Sequence, residues 1–254
     1  MANIPGISKT DWRKRLLGLS PRVAKMAEQA SAAIEARRLD DACRNLVAAS
    51  VLAPTHPEIL RLQGVLKHLQ ERYAEAVEIL KEALVGSPED ALILNNLGSS
   101  LRAIGDVEGA VEMFGRATTI DPKLAAAWFN LGKTLKSQAR PENALPALEQ
   151  ALQLSPGHVP ARIVLGDSLK ALGRIDESAT AFRTALKLNP RNAQAWFSLA
   201  NLKTVPLTIA EANQLAQLLG EKSLNDDDRI RMGFSLAKGL EDNAQYQRSF
   251  AALV

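Results

Sequence analysis

The sequence has little of what several classes of protein depend on. Cys43 is the only cysteine, so an intrachain disulfide is excluded and a metal site would lack thiolate ligands almost entirely. The histidines, His56, His68 and His158, have no second histidine or cysteine at metal-ligand spacing. No window contains the roughly 18 apolar residues that a membrane-spanning helix needs, and the N-terminus lacks the apolar stretch of a signal peptide. We therefore predict a cytoplasmic protein that holds no metal and enters no membrane.

Motifs for nucleotide binding and catalysis are also missing. The glycines occur singly and never as a phosphate-binding loop. Acidic pairs such as Glu75 and Glu78 fit a solvated helix face, and Cys43 fits a small buried hydrophobic residue without a basic partner. The 31 basic and 28 acidic residues give a net charge of +3, which indicates a mixed surface and no nucleic-acid partner. We predict that the chain has no catalytic residue and no cofactor.

What the sequence does contain is an internal repeat of constant period. Prolines recur at equal spacing, at Pro54, Pro88, Pro122, Pro156 and Pro190. Small residues recur in the same register, at Ala30, Gly64, Gly98, Gly132, Gly166 and Ala200. Both columns have a period of 34 residues. This period is typical of stacked helix hairpins, in which small residues let two helices approach closely and proline ends the second helix.

These columns identify a known repeat. The segment AWFNLGKTLKSQARPENALPALEQALQLSP (127–156) resembles the tetratricopeptide repeat (TPR), which has a Trp, Leu-Gly, Ala, Phe and Pro pattern over about 34 residues. The resemblance implies an all-α fold, a right-handed superhelix (α-solenoid) of stacked antiparallel hairpins that binds other proteins. We expect a capping segment at 1–22, in which Trp12, Leu16 and Leu17 cover the first hairpin. Five regular repeats should follow at 23–192, and then a degenerate sixth repeat and a truncated seventh hairpin, beginning near Ile230, at 193–254.

The irregular end carries a second resemblance. The segments WFSLANLKT and DDDRIRMGFSLAKGLEDNAQYQRSF resemble the junction in bacterial proteins that join a TPR array to a C-terminal sulfotransferase domain. The resemblance implies that the chain is the substrate-recruiting part of such an enzyme. The Pro-Arg-Ser-Gly-Thr type motif that binds the sulfate donor in that family does not occur, so the chain itself should be inactive. A free-standing adaptor and the TPR array of a glycosyltransferase remain the alternatives.

The TPR resemblance also implies where a partner binds. First helices line the concave groove of such arrays, and their twelfth position here carries a basic row, His68, Arg102, Lys136 and Lys170. The predicted groove residues are Asn95, Asn96, Arg102, Phe129, Asn130, Lys133, Lys136, Lys170, Phe197 and Asn201. We expect them to hold an extended, acidic polypeptide, whose backbone the asparagine amides can bind. The alternative is that asparagine is simply common at this position of TPR sequences; the oligomeric state stays open.

Overall fold

The computed structural model describes residues 9–202, 204–221 and 224–252. Within these ranges every regular element is an α-helix, which confirms the predicted all-α fold of helix hairpins. The helices are α1 (Lys9–Arg15), α2 (Pro21–Glu35), α3 (Leu39–Leu52), α4 (Pro57–Leu69), α5 (Tyr73–Gly86), α6 (Ala91–Ala103), α7 (Val107–Ile120), α8 (Ala125–Ser137), α9 (Pro141–Leu154), α10 (Val159–Ala171), α11 (Ile175–Leu188), α12 (Ala193–Ala200), α13 (Ile209–Leu219), α14 (Asp226–Asp242) and α15 (Tyr246–Ala251). Residues 1–8 of the predicted cap lie outside the described residues.

The recurring proline marks where each second helix ends. The helices α3, α5, α7, α9 and α11 stop two residues before a proline of the column. Proline lacks the backbone N–H that a helix interior requires, and it disfavours helical geometry in the residue before it. A side-chain cap then stabilises the start of the next first helix. Asp90 accepts hydrogen bonds from the backbone N–H groups of Leu92 and Ile93 at the start of α6.

The glycine column allows the close approach that the repeat needs. A Cβ atom built on Gly98 would lie 2.8 Å from Cε1 of Phe114, and one on Gly166 would lie 2.6 Å from Cε1 of Phe182. Both phenylalanines are fully buried on the second helix of the same hairpin. The large side chain thus occupies the space that the missing side chain of the glycine leaves free.

The chain forms two compact units, Met1–Thr134 and Leu135–Val254. In the first unit, successive first helices contact each other, α2 with α4 and α4 with α6, as well as their hairpin partners. In the second unit, α10 contacts α12 in the same way. Each unit therefore has a face formed by first helices, on which the predicted groove residues can be located.

The N-terminal helix joins the first unit through a buried ionic network. Arg15 on α1 donates from Nε to Glu58 Oε2 at 2.6 Å, and its Nη1 lies 2.8 Å from Asp90 Oδ2. Arg61 donates to both carboxylate oxygens of Glu58, at 2.9 and 2.6 Å. Glu58 is only 1% exposed and Arg61 only 7%. Burial alone would raise the pKa of Glu58, but Arg61 and Arg15 together lower it below its usual range.

Two details of the terminal regions differ from expectation. Trp12 and Leu16 pack against the first hairpin as predicted, but Leu17 is 73% exposed. The last long helix, α14, begins at Asp226 and so four residues before Ile230. Asn225 caps it by accepting from the backbone N–H of Asp228, and its acidic first turn complements the helix dipole.

The irregular turn after α12 also has a structural reason. Leu207 replaces a polar turn residue, is 1% exposed, and packs so closely on α14 that a Cβ atom on Gly239 would lie 2.9 Å from its Cδ1. Asn243 donates from Nδ2 to the backbone oxygen of Leu207 at 2.8 Å. Both α12 and α13 contact α14, so this turn belongs to the core of the second unit.

Candidate protein-binding site

An amide pair joins two first helices of the first unit. Asn130 on α8 donates from Nδ2 to Oδ1 of Asn95 on α6 at 2.9 Å. Asn95 is 9% exposed, whereas Asn130 is half-buried, so the pair reaches from the core to the surface. The bond fixes the orientation of the Asn130 amide and leaves its Oδ1 as a hydrogen-bond acceptor. We call the surface formed by Asn95, Asn96, Arg102, Phe129, Asn130 and Lys133 the α6–α8 face.

Asn96 stands in the same register as Asn130 but has a different environment. Its Nδ2 is buried and has no hydrogen-bond acceptor among the described residues. The residue one repeat period before Asn95 is Arg61, whose guanidinium can only donate and is bound to Glu58. The acceptor that Asn95 supplies to Asn130 therefore has no counterpart for Asn96. The two asparagines therefore differ in environment, and both stay predicted groove residues.

Two cations of the α6–α8 face have no acidic partner in the described part of the chain. Arg102 is half-buried, and burial lowers its pKa. Lys133 is exposed overall, and partial burial and the charge of Arg102 lower the pKa of its ammonium. The Lys133 ammonium lies 5.9 Å from the centroid of the Phe129 ring, within the range of a cation–π contact. The face is therefore electropositive.

His68 on α4 lies at the edge of this positive region. Its Nδ1 is 3.0 Å from the Ser100 hydroxyl. The centroid of its ring lies 5.2 Å from the centroid of the Tyr73 ring, in an edge-to-face arrangement. Burial and then the charge of Arg102 lower the pKa of His68. A lowered pKa favours the neutral form of the His68 imidazole, so the positive charge of this region is that of Arg102 and Lys133.

The polar side chains among the predicted groove residues of the second unit already have partners within the protein. Lys136 Nζ lies 3.9 Å from Asp167 Oδ2, and Lys170 donates from Nζ to the backbone oxygen of Asn201 at 3.3 Å. Burial raises the pKa of Asp167, while Lys136 and Lys170 oppose that rise. Asn201 donates from Nδ2 to the Phe197 backbone oxygen at 2.8 Å, and Phe197 is 37% exposed.

Asp167 is the residue that sequence reasoning missed. It follows Lys133 by one repeat period. The sequence therefore already showed a carboxylate in the column Ser99, Lys133, Asp167 and Asn201. Only the contacts show that this column pairs with the basic row of the preceding repeat. The predicted row of equivalent cations is therefore chemically uneven: Lys136 pairs with the Asp167 carboxylate, Lys170 binds a backbone oxygen, and Arg102 has no carboxylate partner among the described residues.

The described residues contain no group of three or more histidine, cysteine, aspartate or glutamate side chains placed to hold a metal ion. No helix in the described ranges combines the length and the apolar character needed to cross a membrane.

Comparisons with known proteins agree with the helix-hairpin architecture. Three family models described as tetratricopeptide or TPR repeats match residues 28–91, 98–138 and 135–202. A search of curated proteins found no match.

Solved structures show the same fold. PilF of Pseudomonas aeruginosa has a TM-score of 0.69 and 17% identity, covering 91% of this chain and 97% of that chain. The thermophilic TPR protein TTC0263 of Thermus thermophilus has a TM-score of 0.59 and 19% identity, covering 71% and 98%. MamA has a TM-score of 0.56 and 22% identity, covering 68% and 94%. At these identities the likeness concerns the fold alone, and the family models show tetratricopeptide repeats within residues 28–91 and 98–202.

Proposed function

We propose that the protein binds an extended segment of a partner protein along the α6–α8 face of the first unit. Tetratricopeptide repeats bind other proteins, and arrays of this kind present extended surfaces for that purpose. The observation that supports this face is the bond from Asn130 to Asn95, which orients the half-buried Asn130 amide and leaves its carbonyl oxygen as an acceptor. Such an oxygen can accept a hydrogen bond from the backbone N–H of any extended peptide, whatever its side chains.

The charge of the same face favours an acidic segment. Arg102 and Lys133 attract carboxylates, and opposite charge speeds the encounter of two partners more than it strengthens the final complex. Lys136, Lys170, Phe197 and Asn201 of the second unit stay predicted groove residues. The contribution of Lys136, Lys170 and Asn201 should be weaker, because their polar groups already have protein partners.

The origin of the chain is a separate proposal. The link to a sulfotransferase and a bacterial setting rest only on the sequence resemblance of residues 193–254. The division into 1–22, 23–192 and 193–254 rests on the repeat columns, and a cytoplasmic setting rests on the single cysteine. Reading the coding sequence after Val254 tests the link: a donor-binding motif supports it, while a stop codon favours the adaptor and a glycosyltransferase domain favours the third alternative.

Replacing Asn130 with alanine should weaken peptide binding about two- to tenfold, the value of one neutral hydrogen bond. Binders are first selected from a displayed random peptide library against the unmodified protein, and their Kd is then measured by calorimetry. Thr119→Ala on α7 is the matched control, because Thr119 is an exposed polar residue on a second helix.

Three outcomes would contradict this proposal. They are a library that yields no binder, selected peptides that bind N130A as tightly as the unmodified protein, and an equal loss of binding in Thr119→Ala. Circular dichroism of both variants checks that the helices are retained.

A further inference from the structure

In the second unit, the basic row contacts the next repeat through a fixed pair of positions. Lys136 on α8 faces Asp167 on α10, 31 residues later, and Lys170 on α10 binds Asn201 after α12, also 31 residues later. In both cases a residue of the basic row contacts a residue of the next repeat. That second residue stands three positions, or about one helical turn, before the position of the basic row in its own repeat. The partner supplies an oxygen in each case, a carboxylate or a backbone carbonyl.

The corresponding pair in the first unit has two positive charges. Arg102 precedes Lys136 by one repeat period, and Lys133 precedes Asp167 by the same period, so Arg102 and Lys133 stand in the relation of Lys136 and Asp167. No carboxylate of the described residues neutralises either cation. Where the second unit has a cation and an anion, the first unit has two cations and no anion.

Other buried charges of the first unit are neutralised. Arg15 and Arg61 are compensated by Glu58 and Asp90 at distances of 2.6 to 2.9 Å. Cations that are desolvated without a partner are costly in a folded protein. The half-buried Arg102 beside Lys133 is therefore an exception within its own unit, and a ligand that supplies the missing negative charge would remove the cost.

We propose that Arg102 and Lys133 bind a side-chain carboxylate of the partner segment, which takes the place that Asp167 takes in the second unit. The inference rests on the proposed function and names the chemical group recognised. The guanidinium of Arg102 can donate two parallel hydrogen bonds to the two oxygens of a carboxylate. Lys133, held near the ring of Phe129, adds the second positive charge. The Asn130 amide then binds the backbone of the same segment.

The test is Lys133→Asp, which gives the first unit the pair that the second unit has. The new carboxylate competes for Arg102, so an acidic peptide selected on the unmodified protein should bind about tenfold to a hundredfold more weakly. A peptide in which the critical aspartate or glutamate is changed to its amide should not distinguish the two proteins. Lys123→Asp is the matched control, because it makes the same charge change at an exposed lysine in the turn before α8.

A second measurement needs no peptide. Because Lys133→Asp replaces a like-charged pair with an ion pair, it should raise the Tm of the free protein, while Arg102→Met, which keeps the apolar stem, should raise it by removing the unpaired charge. Lower Tm values for both variants would show that the two cations stabilise the fold, and would overturn the proposal.

The peptide results separate this inference from the proposed function. If selected peptides bind K133D and the unmodified protein equally while N130A binds them weakly, the carboxylate site is wrong and the peptide-binding face stands. If only phosphoserine versions of the peptides distinguish K133D from the K123D control, the site takes a phosphate and the carboxylate assignment is overturned. If the library yields no binder, both proposals fail.

Discussion

Replacing Glu58 with glutamine should lower the free energy of unfolding of the first unit by about 3–5 kcal/mol, the usual cost of removing one partner from a buried ionic network. Glu58 accepts hydrogen bonds from Arg15 and Arg61 and is 1% exposed. Without its charge, two guanidinium groups share the single carboxylate of Asp90 in a poorly solvated place. Urea unfolding followed by circular dichroism and by tryptophan fluorescence measures the loss.

The control is Glu78→Gln on α5, where an exposed glutamate pairs only with Lys81. An exposed pair of this kind contributes about 0–1 kcal/mol. Equal urea midpoints for E58Q and E78Q would mean that the buried network contributes no more to the free energy of unfolding than a surface ion pair does.

Acid unfolding should depend on the same carboxylate. The native pKa of Glu58 is lowered, so its contribution to stability is complete above the ordinary glutamate pKa of about 4.3 and is lost as the pH falls through the lower native value. The unmodified protein should therefore lose more stability than E58Q between neutral and acid pH. A constant stability difference between the two proteins over this range would contradict the assignment.

Replacing Phe182 with alanine should cost about 3–5 kcal/mol, as is usual for a large aromatic residue in a packed core. Phe182 is fully buried in the second unit, and its ring occupies the space above Gly166. Phe197→Ala is the matched control, because that ring is 37% exposed. Urea unfolding of both variants should show a large loss for F182A and a small one for F197A.

The pairing of Phe182 with Gly166 can be tested directly. Gly166→Ala alone places a Cβ atom 2.6 Å from the ring and should destabilise the protein, by roughly 1–3 kcal/mol for overpacking. The same substitution in the Phe182→Ala background partly fills the cavity and should stabilise it. Additive effects in the double variant would show that the two positions do not share one space.

The repeat period made the architecture predictable, and it did so through particular residues. Pro54 and its successors predicted where second helices end, and Gly98 and Gly166 predicted where two helices come closest, because both requirements are local and recur in every repeat. The positions that failed lie at the irregular ends. Leu17 precedes the first repeat, and the early start of α14 depends on the Asn225 cap, so neither result follows from the columns.

The candidate site was predictable only in part. The asparagines and cations were found from their positions in the repeat, but their differences were not. Whether Asn130 has an acceptor depends on the neighbouring helix, which has Asn95 there, whereas the equivalent neighbour for Asn96 is Arg61. The sequence columns describe each repeat separately, and the chemistry of the face arises from pairs of side chains that belong to two repeats.

The contact between Lys136 and Asp167 therefore has an evolutionary consequence. Deleting residues 125–158 removes one whole period and places Arg102 in register with Asp167, so the two would form the ion pair that Lys136 forms now. The electropositive site would vanish although neither of these residues had changed. In a chain of this kind, recognition can be lost or gained by losing or duplicating a repeat, because each junction and not each repeat carries the binding preference.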